Sequence, residues 1–595
     1  MSTKEYRSQG WSLTDLIAAP DGPAMEAVYA ELGEAVECVE ACRDALAPTI
    51  SESAFAEILS AIETVGHLSR RLTAYATLWL AEKSTDQAAL AFRGRVDKVL
   101  ADTRNRCLFF DLWWKGLDEA TVERLLPASG DIRYHLETLR KFAPYTLSEP
   151  EERIINIKDV HGVSAMNTLY DMLTNELLFD LDVDGEVKRL TRTELMVHAR
   201  SGDPALREAA YRSLYDVFGA KGNVLGEIYK HVVGDWHDEN QQLRGMPTAI
   251  STRNLRNDVP DDVVDALLEA CRNNASRFQR YFRLKASWLE MERLRRYDVY
   301  APVESVSREI PFADGVRLAL ESMAEFSPRM AELAERVLAE GHLDSEVRAG
   351  KDTGAFCYGV VPEITPWVLV NYNGQHSDAT TLAHELGHAV HAMLAADHSP
   401  LTFHSSLPLA ETASNFAEML VLKRLLRSED DPQVRRSLLA EFVDDRYAAV
   451  LRQAYFVLFE REAHDLINGE GATVDRLADR YLENLREQFG NAVELSDEFR
   501  WEWVSIPHIY QVPFYCYAYA FGLLLVLALY RQYEQEGEGF VPRYLRILEY
   551  GGSKAPVEIL DEAGFDVRTE AFWQGGFDVI GEMIDELEKM SRDAT

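Results

Sequence analysis

The spacing of apolar side chains is the feature that most constrains the fold of this chain. In several long stretches, among them residues 24–46, 54–83 and 258–294, apolar residues recur every three or four positions with charged residues between them. This period places apolar side chains on one face of an α-helix, whereas a half-buried strand alternates at every second residue. The sequence therefore predicts an all-α, predominantly helical protein.

Strand signals are rare, and the best one is the segment PWVLVNYN at residues 366–373. Its β-branched and aromatic residues predict a small β element, just upstream of a helical segment. A strand with an open edge can bind an extended peptide through main-chain hydrogen bonds. On that interpretation Tyr372, Asn373 and Gly374 contact the substrate, and the alternative is a short strand of the core.

Charge and cysteine content limit the partners and the compartment. The chain has 595 residues with a net charge of −36, which opposes contact with nucleic acid or an anionic membrane. Six cysteines are few for this length and have no framework spacing, as is usual in a reducing compartment. Because the first residues lack the apolar core of a signal peptide, the predicted location is the cytoplasm.

Residues 503–530 contain no Asp, Glu, Lys or Arg and are long enough to cross a bilayer. Their first half contains Pro507, Pro513, His508 and four tyrosines, so only the second half is strongly apolar. We therefore predict a buried helix that enters a polar cavity, and no membrane partner.

The sequence HELGH at residues 384–388 has the spacing of a metal-binding helix. His384 and His388 are one helical turn apart, so both imidazoles project from the same face. Two imidazoles at this spacing can bind one tetrahedral Zn²⁺ ion, and Glu385 lies beside the ion, where it can accept a proton from water. Since chance gives such a pattern in roughly one chain in thirty of this kind, the motif needs support from its surroundings.

A third metal ligand is expected on a neighbouring helix, because a catalytic zinc site takes three protein ligands and leaves one position for water. The segment LPLAETASNFAEML at residues 407–420 offers Glu411 and Glu418 on one helix face. Spacing does not choose between them, and the carboxylate that is not a ligand can orient a ligand histidine from behind. Asp378 is another candidate for that supporting role, with a helix cap as its alternative.

These motifs resemble a known family. HELGHAVH, followed by ETASNFAE, resembles the thimet oligopeptidase and oligoendopeptidase F family of zinc metallopeptidases, in particular its oligoendopeptidase F branch. The similarity includes GAFCYGVVPEITPWVLVNYNGQHSDATTLAHELGHAVH, IPHIYQVPFYCYAYAFG and YLRILEYGGSKAPVEILDEAGFD. Residues 142–173 are similar to the N-terminal helical region of that branch. The resemblance implies an N-terminal helical region (1–110), an oligopeptidase-type N-terminal helical domain (111–195) and a catalytic zinc metallopeptidase domain (196–595).

The resemblance also implies a fold and a site. The fold is a two-lobed helical metallopeptidase with a deep substrate cleft. One Zn²⁺ per chain is held by His384, His388 and Glu411, and Glu385 is the general base. The implied reaction is hydrolysis of internal bonds in short unstructured peptides by a metal-activated water.

Further residues implied by the resemblance follow Pro507. His508 and a tyrosine after it are expected to stabilise the oxyanion, with Tyr519 favoured before Tyr515, and Tyr510 is expected to contact the substrate. Two alternatives stand beside the endopeptidase. One is a zinc exopeptidase of related helical fold, either a dipeptidyl- or a carboxypeptidase, and the other is a catalytically silent peptide-binding protein.

Overall fold

The computed structural model describes residues 6–303 and 309–593. The protein is 72% helical with a few small sheets, which confirms the predicted fold class. Its helices in chain order are α1 (Pro23–Ala41), α2 (Glu52–Glu82), α3 (Gln87–Gly116), α4 (Glu119–Leu125), α5 (Arg133–Lys141), α6 (Glu149–His161), α7 (Val163–Asn175), α8 (Arg192–His198), α9 (Pro204–Trp236), α10 (Ser251–Arg256), α11 (Asp261–Asn273), α12 (Ala275–Trp288), α13 (Phe312–Phe326), α14 (Pro328–Ala339), α15 (His376–Leu394), α16 (Leu407–Ala410), α17 (Thr412–Ser428), α18 (Pro432–Arg446), α19 (Arg452–Glu470), α20 (Val474–Phe489), α21 (Pro507–Gln511), α22 (Tyr517–Glu536), α23 (Val541–Glu549), α24 (Pro556–Glu562) and α25 (Glu570–Asp593).

The strands of the described residues form three small sheets. An antiparallel pair joins β1 (Phe179–Val183) to β2 (Glu186–Leu190), and a parallel pair joins β3 (Leu294–Arg295) to β7 (Val493–Glu494). The third sheet contains β4 (Leu343–Asp344), β5 (Phe356–Tyr358) and β6 (Trp367–Leu369) in the order β4–β6–β5.

The chain forms two compact units, each assembled from separate stretches of sequence. The first consists of Met1–Ala143, Ser307–Ser428 and Gln532–Phe565, and the second of Pro144–Val306, Glu429–Arg531 and Asp566–Thr595. The division of the chain at residues 110 and 195 stays a prediction.

Two stretches that the sequence predicts as helical are divided in the structure. The stretch 258–294 is not one long helix, because α11 ends at Asn273 and α12 begins at Ala275. Asn274 between them leaves helical geometry, and its side-chain amide donates to the Ala270 carbonyl at 2.9 Å, which satisfies a group that the helix end exposes. Residues 503–530 contribute α21 and most of α22. Among the described residues, no helix is both long and apolar enough to span a membrane.

The predicted strand at 366–373 exists, but it lies in the middle of its sheet. β6 pairs in parallel with β4 on one edge and antiparallel with β5 on the other. All three of its side chains are buried. The prediction that a peptide adds to this strand is therefore wrong, because both of its edges are taken, and the core-strand alternative is correct. The two edge strands of this sheet are β4 and β5.

In the first unit this sheet is anchored to the N-terminal helices. Trp367 and Leu369 belong to the same buried cluster as Leu72 and Leu78 of α2. The Trp367 indole also donates to the Ser12 carbonyl at 2.8 Å. Because β5 pairs with β6 along its whole length, the helices that hold β6 also fix the position of β5.

Helix α15 packs along α17, and a glycine permits the close approach. A Cβ on Gly387 would lie 2.6 Å from the Ala413 carbonyl oxygen and 2.7 Å from the Ser414 Cα. Both are backbone atoms, which cannot rotate away. Glycine inside a helix costs about 1 kcal/mol relative to alanine, so its presence here is offset by the contact between helices that it allows.

We expect Gly387→Ala to destabilise the protein by about 1–3 kcal/mol, since the added methyl group forces α15 and α17 apart. We also expect weaker metal binding, because the predicted ligand residues lie on both sides of this contact. Urea unfolding and zinc competition with a chromogenic chelator measure the two effects. Gly94→Ala is the matched control: Gly94 is an exposed helical glycine with no atom within 4 Å of its added Cβ. Equal stability and equal zinc affinity of the two variants would show that close packing at Gly387 is not required.

Candidate metal centre

The start of α15 is set by a capping box that involves Asp378. Gln375 is the N-cap residue, and the Asp378 carboxylate accepts the backbone N–H of Gln375 at 2.9 Å and that of Asn373 at 2.7 Å. These contacts satisfy N–H groups that the first turn leaves without helical partners. Of the two roles predicted for Asp378, the structure supports the helix cap, exerted from the third helical position.

His384, His388 and Glu411 converge on one point. The Nε2 atoms of the two histidines are 3.2 Å apart, and each lies 3.3 Å from Glu411 Oε2. Tetrahedral zinc with ligands at about 2.0–2.1 Å requires ligand atoms roughly 3.3 Å apart. The three donors thus form a triangle of the right size for one face of a tetrahedron, and two imidazoles with one carboxylate are suitable donors for zinc.

Glu418 approaches His384 from the other side of the ring. Its Oε1 lies 2.6 Å from Nδ1 of His384, so this nitrogen carries the proton that Glu418 accepts and Nε2 is left as the donor to a metal. Burial opposes a charged His384, but the carboxylates of Glu411 and Glu418 outweigh it and raise the pKa of this imidazole to about 10. A metal ion at Nε2 would therefore have to displace a proton from that nitrogen. Of the two carboxylates that spacing left open, the geometry favours Glu411 as the candidate ligand, with Glu418 behind His384.

Glu411 lies between α16 and α17, where one contact holds its side chain and another holds the residue before it. The Ser414 hydroxyl donates to its Oε2 at 2.8 Å. His391 of α15 is buried and hydrogen-bonds to the backbone of Ala410, the preceding residue. Burial lowers the pKa of His391 to about 4, which keeps this imidazole neutral. The second and third histidines of HELGHAVH therefore differ in their contacts. His388 faces the candidate metal position, whereas His391 hydrogen-bonds to the backbone next to Glu411.

Glu385 lines a cavity of about 390 Å³ together with the three candidate ligands. Its side chain is buried, which raises its pKa, while His384 and His388 lower it in part. A carboxylate with a raised pKa is a better proton acceptor than an exposed one. Cys357 of β5 lines the same cavity, but burial raises its pKa well above the ordinary value, so it is not a thiolate nucleophile.

Comparison with known proteins identifies the family of this chain. The model of Peptidase family M3 matches residues 197–579, more than half of the chain, and the model of Oligopeptidase F matches residues 113–179. The chain belongs to peptidase family M3. Oligopeptidase PepF of Bacillus subtilis is 27% identical over an alignment of 461 positions that covers 76% of this chain and 68% of that protein. Group B oligopeptidase PepB of Streptococcus agalactiae is 24% identical over an alignment of 601 positions that covers 98% of this chain and 96% of that protein.

Solved structures share the fold of this M3 peptidase. Oligoendopeptidase-F from Enterococcus faecium superposes with a TM-score of 0.71 at 22% identity, covering 96% of this chain and 99% of that one. A protein from Chlamydophila abortus reaches 0.88 at 23% identity, covering 98% of each chain. The resemblance to oligoendopeptidase F is confirmed, and the protein is a metallopeptidase that hydrolyses peptides with a divalent metal.

The second unit of the peptidase contains the histidine and tyrosines predicted to assist catalysis. His508 Nε2 lies 3.4 Å from the Tyr519 hydroxyl, and the ring of Tyr515 stacks on His508 with centroids 6.0 Å apart. Burial and the charge of Arg452 lower the pKa of His508, so it is neutral at pH 7. Tyr519 is 37% exposed, which leaves part of its ring open to a ligand.

The substrate-binding prediction for Tyr510 is corrected. Its side chain is fully buried, with its hydroxyl donating to the Leu225 carbonyl at 3.3 Å and its ring stacked on Tyr170 at 4.0 Å. A side chain without exposed surface has no contact to offer a substrate. Tyr510 is a core residue of the second unit that fixes α21.

Tyr372, Asn373 and Gly374 connect the sheet to α15. The Tyr372 hydroxyl donates to the Ile310 carbonyl at 2.9 Å, and the Ile310 N–H donates to the Gly374 carbonyl at 2.8 Å. Gly374 has a φ of 90°, which favours glycine. These contacts hold the turn that leads into α15, and a contact of these residues with substrate stays a prediction.

Glu460 of α19 is a residue of the second unit that motif searching does not reveal. It is fully buried and accepts the N–H of Phe514 at 2.7 Å. Phe514 has a φ of 60°, a strained value for a residue with a side chain, in the turn between His508 and Tyr515. Glu460 thus stabilises the turn that connects these two residues. Only its place in an apolar helix face hints at this in the sequence.

We expect Glu418→Gln to weaken zinc affinity roughly 10- to 100-fold, because a neutral amide is a poorer acceptor for the His384 N–H than a carboxylate. Competition with a chelator of known affinity measures the change. Asp397→Asn removes one charge at an exposed position in the same unit and is the control. Undiminished affinity in Glu418→Gln would mean that this carboxylate does not tune the ligand.

Glu460→Gln should alter how stability depends on pH. Burial raises the pKa of Glu460 to about 8, while the Phe514 N–H and Arg253 oppose the rise. The folded protein therefore holds this proton more tightly than the unfolded chain, and wild type loses stability as pH rises from about 4.5 to about 8. Glutamine has no proton to lose, so the variant gains relative stability over that range. Urea unfolding at pH 5, 6.5 and 8 tests this, with Asp465→Asn, exposed on the same helix, as control. Parallel pH profiles of wild type and Glu460→Gln would contradict it.

Proposed function

We propose that this M3 peptidase is a zinc endopeptidase that cleaves internal bonds of short unstructured peptides, with Glu385 as general base. The observation that carries the proposal is the triangle of His384, His388 and Glu411 donors, with edges of 3.2–3.3 Å beside a buried carboxylate. Endopeptidase activity is supported by relatives named oligoendopeptidase F. The small number of cysteines favours the cytoplasm as the place of action.

Bound zinc would polarise the scissile carbonyl and lower the pKa of water at the site from near 16 to about 7. Glu385 would accept the proton of that water, a role supported by its position in the lining of the same cavity as the three candidate ligands. Its raised pKa makes it a stronger acceptor and then a competent donor to the leaving amine. Glu418 holds His384 in the tautomer that presents Nε2, and so keeps the donor set available.

Residues that bind the peptide are proposed on β5. This strand lies at the edge of its sheet, and its residues Phe356 and Cys357 line the metal cavity. Main-chain groups at a sheet edge can pair with an extended peptide whatever its side chains are, which suits an enzyme of broad substrate range. The expected strand addition is thus moved from residues 366–373 to residues 356–358.

Stabilisation of the oxyanion is proposed for His508 and Tyr519, with Tyr515 as the second tyrosine. The proposal rests on the family resemblance and is supported by the contact of His508 with the hydroxyl of Tyr519 within the second unit. A neutral His508 can donate one hydrogen bond, and a phenol can donate another. Loss of one such donor typically costs two to three orders of magnitude in kcat.

The test is mass spectrometry of products from a set of unstructured peptides. We expect wild type to make internal cuts, and Glu385→Gln to reduce kcat roughly 10²- to 10⁴-fold because the proton acceptor is lost. Chelation should abolish cleavage and zinc should restore it. The zinc content of Glu385→Gln should equal that of wild type, since Glu385 is not a ligand.

Two results would change the conclusion. Removal of one or two residues from a terminus, with the same sensitivity to chelator, would identify an exopeptidase. Full activity of Glu385→Gln would remove Glu385 from the mechanism, and the base would have to be another group of the cavity.

A further inference from the structure

A second cavity of about 580 Å³ adjoins the metal cavity in the first unit. Helices α2 and α3 line it on one side and residues 357–360 on the other. Cys357, Gly359 and His404 line both cavities, so the two spaces share a wall that includes the end of β5. A peptide placed along β5 therefore passes next to this second cavity.

Arg70 of α2 lines the second cavity without a partner for its charge. Among the described residues no carboxylate lies within 4 Å of its guanidinium, and no hydrogen bond of that group occurs. Its neighbour Arg71, by contrast, donates to the Leu16 carbonyl at 2.6 Å. Arg104 of α3 lines the same cavity and has no partner in the described part of the chain either.

No Asp or Glu lines this cavity in the described residues. That is unexpected in a chain with 98 acidic and 62 basic residues, because a random patch of its surface would contain more acids than bases. The cavity is thus a cationic site in a strongly anionic protein.

The groups that face Arg70 do not neutralise it. Burial and the charge of Arg70 lower the pKa of His404 to about 4, and the same two causes lower the pKa of His135. Burial raises the pKa of Tyr358, so its phenol also carries no charge at neutral pH. Burial further lowers the pKa of Arg70 itself. Holding a guanidinium in a partly buried position without an anion costs free energy, which a bound anion would recover.

We propose that Arg70, assisted by Arg104, binds a carboxylate of the peptide substrate. This inference rests on the proposed function, because it takes the peptide to lie along β5. A guanidinium presents paired N–H donors that match the two oxygens of a carboxylate. The carboxylate is either the C-terminal α-carboxylate or the side chain of Asp or Glu, and both have the same chemistry. If Arg70 binds the C-terminal carboxylate, the cleaved bond lies at a fixed distance from the end of the peptide. If it binds an acidic side chain, the enzyme prefers peptides with Asp or Glu at one position.

The test compares matched peptides that differ in one charge. One pair has the same sequence with a free C-terminal acid or a C-terminal amide, and a second series replaces Gln by Glu at one position at a time. For each pair the ratio of kcat/KM values gives the preference for the carboxylate. In wild type we expect one pair to show a preference, and in Arg70→Gln this preference should fall roughly 10- to 100-fold.

Two further variants separate charge from structure. Arg70→Lys keeps the positive charge and should retain part of the preference. Arg95→Gln removes the same charge from α3, where the guanidinium stacks on Tyr29 and does not line the cavity, so its preference should match wild type. A loss in the acid–amide pair alone assigns the site to the C-terminus, and a loss in one Gln–Glu pair alone assigns it to an acidic side chain.

A binding measurement keeps this proposal apart from the endopeptidase proposal. Fluorescence anisotropy of labelled peptides with Glu385→Gln and with Glu385→Gln/Arg70→Gln reports the carboxylate contact without turnover. Absence of cleavage by wild type would contradict the proposed function. Weaker binding of carboxylate peptides by the double variant than by Glu385→Gln would still support a carboxylate site at Arg70. Equal carboxylate preference in Arg70→Gln and wild type, in both kinetics and binding, would overturn the proposal.

Discussion

The close packing of α15 against α17 is the contact on which the metal centre depends. Gly387 lies between His384 and His388 in sequence, and the backbone of Ala413 and Ser414 occupies the space where its side chain would be. A wider separation would move Glu411 away from the two imidazoles, since Glu411 immediately precedes α17. The hydrogen bond from His391 of α15 to the backbone of Ala410 also links α15 to the residue that precedes Glu411. Geometry at the metal is therefore set by main-chain contacts, which a rotamer change cannot loosen.

The charges at the centre follow from this packing. Glu411 and Glu418 approach opposite nitrogens of His384, so one ring receives two carboxylates. Such an arrangement raises the basicity of the ring, and a divalent cation at the donor triangle offsets the negative charge that the glutamates bring together. Glu385 is buried beside them without forming a third bond of this kind, which leaves it available as a proton acceptor. Neighbouring carboxylates with different contacts are thus suited to different functions.

Sequence reasoning succeeded where a property depends on neighbours along the chain. The helical period predicted the fold class, and HELGH placed two imidazoles on one face, because both depend on helix geometry alone. The choice between Glu411 and Glu418 required the position of α17 relative to α15, which spacing does not contain. The same limit explains why the predicted substrate contact of Tyr510 and the predicted addition of a peptide to β6 are wrong. A tyrosine in a polar, aromatic segment is indistinguishable in sequence from one that is buried, and a strand does not show how many partners it has. Arg70 is a stronger case, since nothing in a sequence marks an arginine that has no carboxylate nearby.

The shared wall of the two cavities limits where a recognised carboxylate can lie on a substrate. Cys357 and Gly359 line both spaces and are two residues apart, a distance of about 7 Å in an extended chain. A peptide paired with β5 advances at the same rate, so a carboxylate held by Arg70 would belong to a residue close in sequence to the scissile bond. If that carboxylate is the C-terminus, the enzyme cuts close to the end of its substrates. The strength of the contact with Arg70 would then set how far the enzyme behaves as a carboxypeptidase rather than an endopeptidase. If it is an acidic side chain, the same distance defines a specificity subsite, and the cut can fall anywhere along the peptide. The position of one unpaired guanidinium relative to the metal ligands would then decide which bonds of a peptide this enzyme cuts.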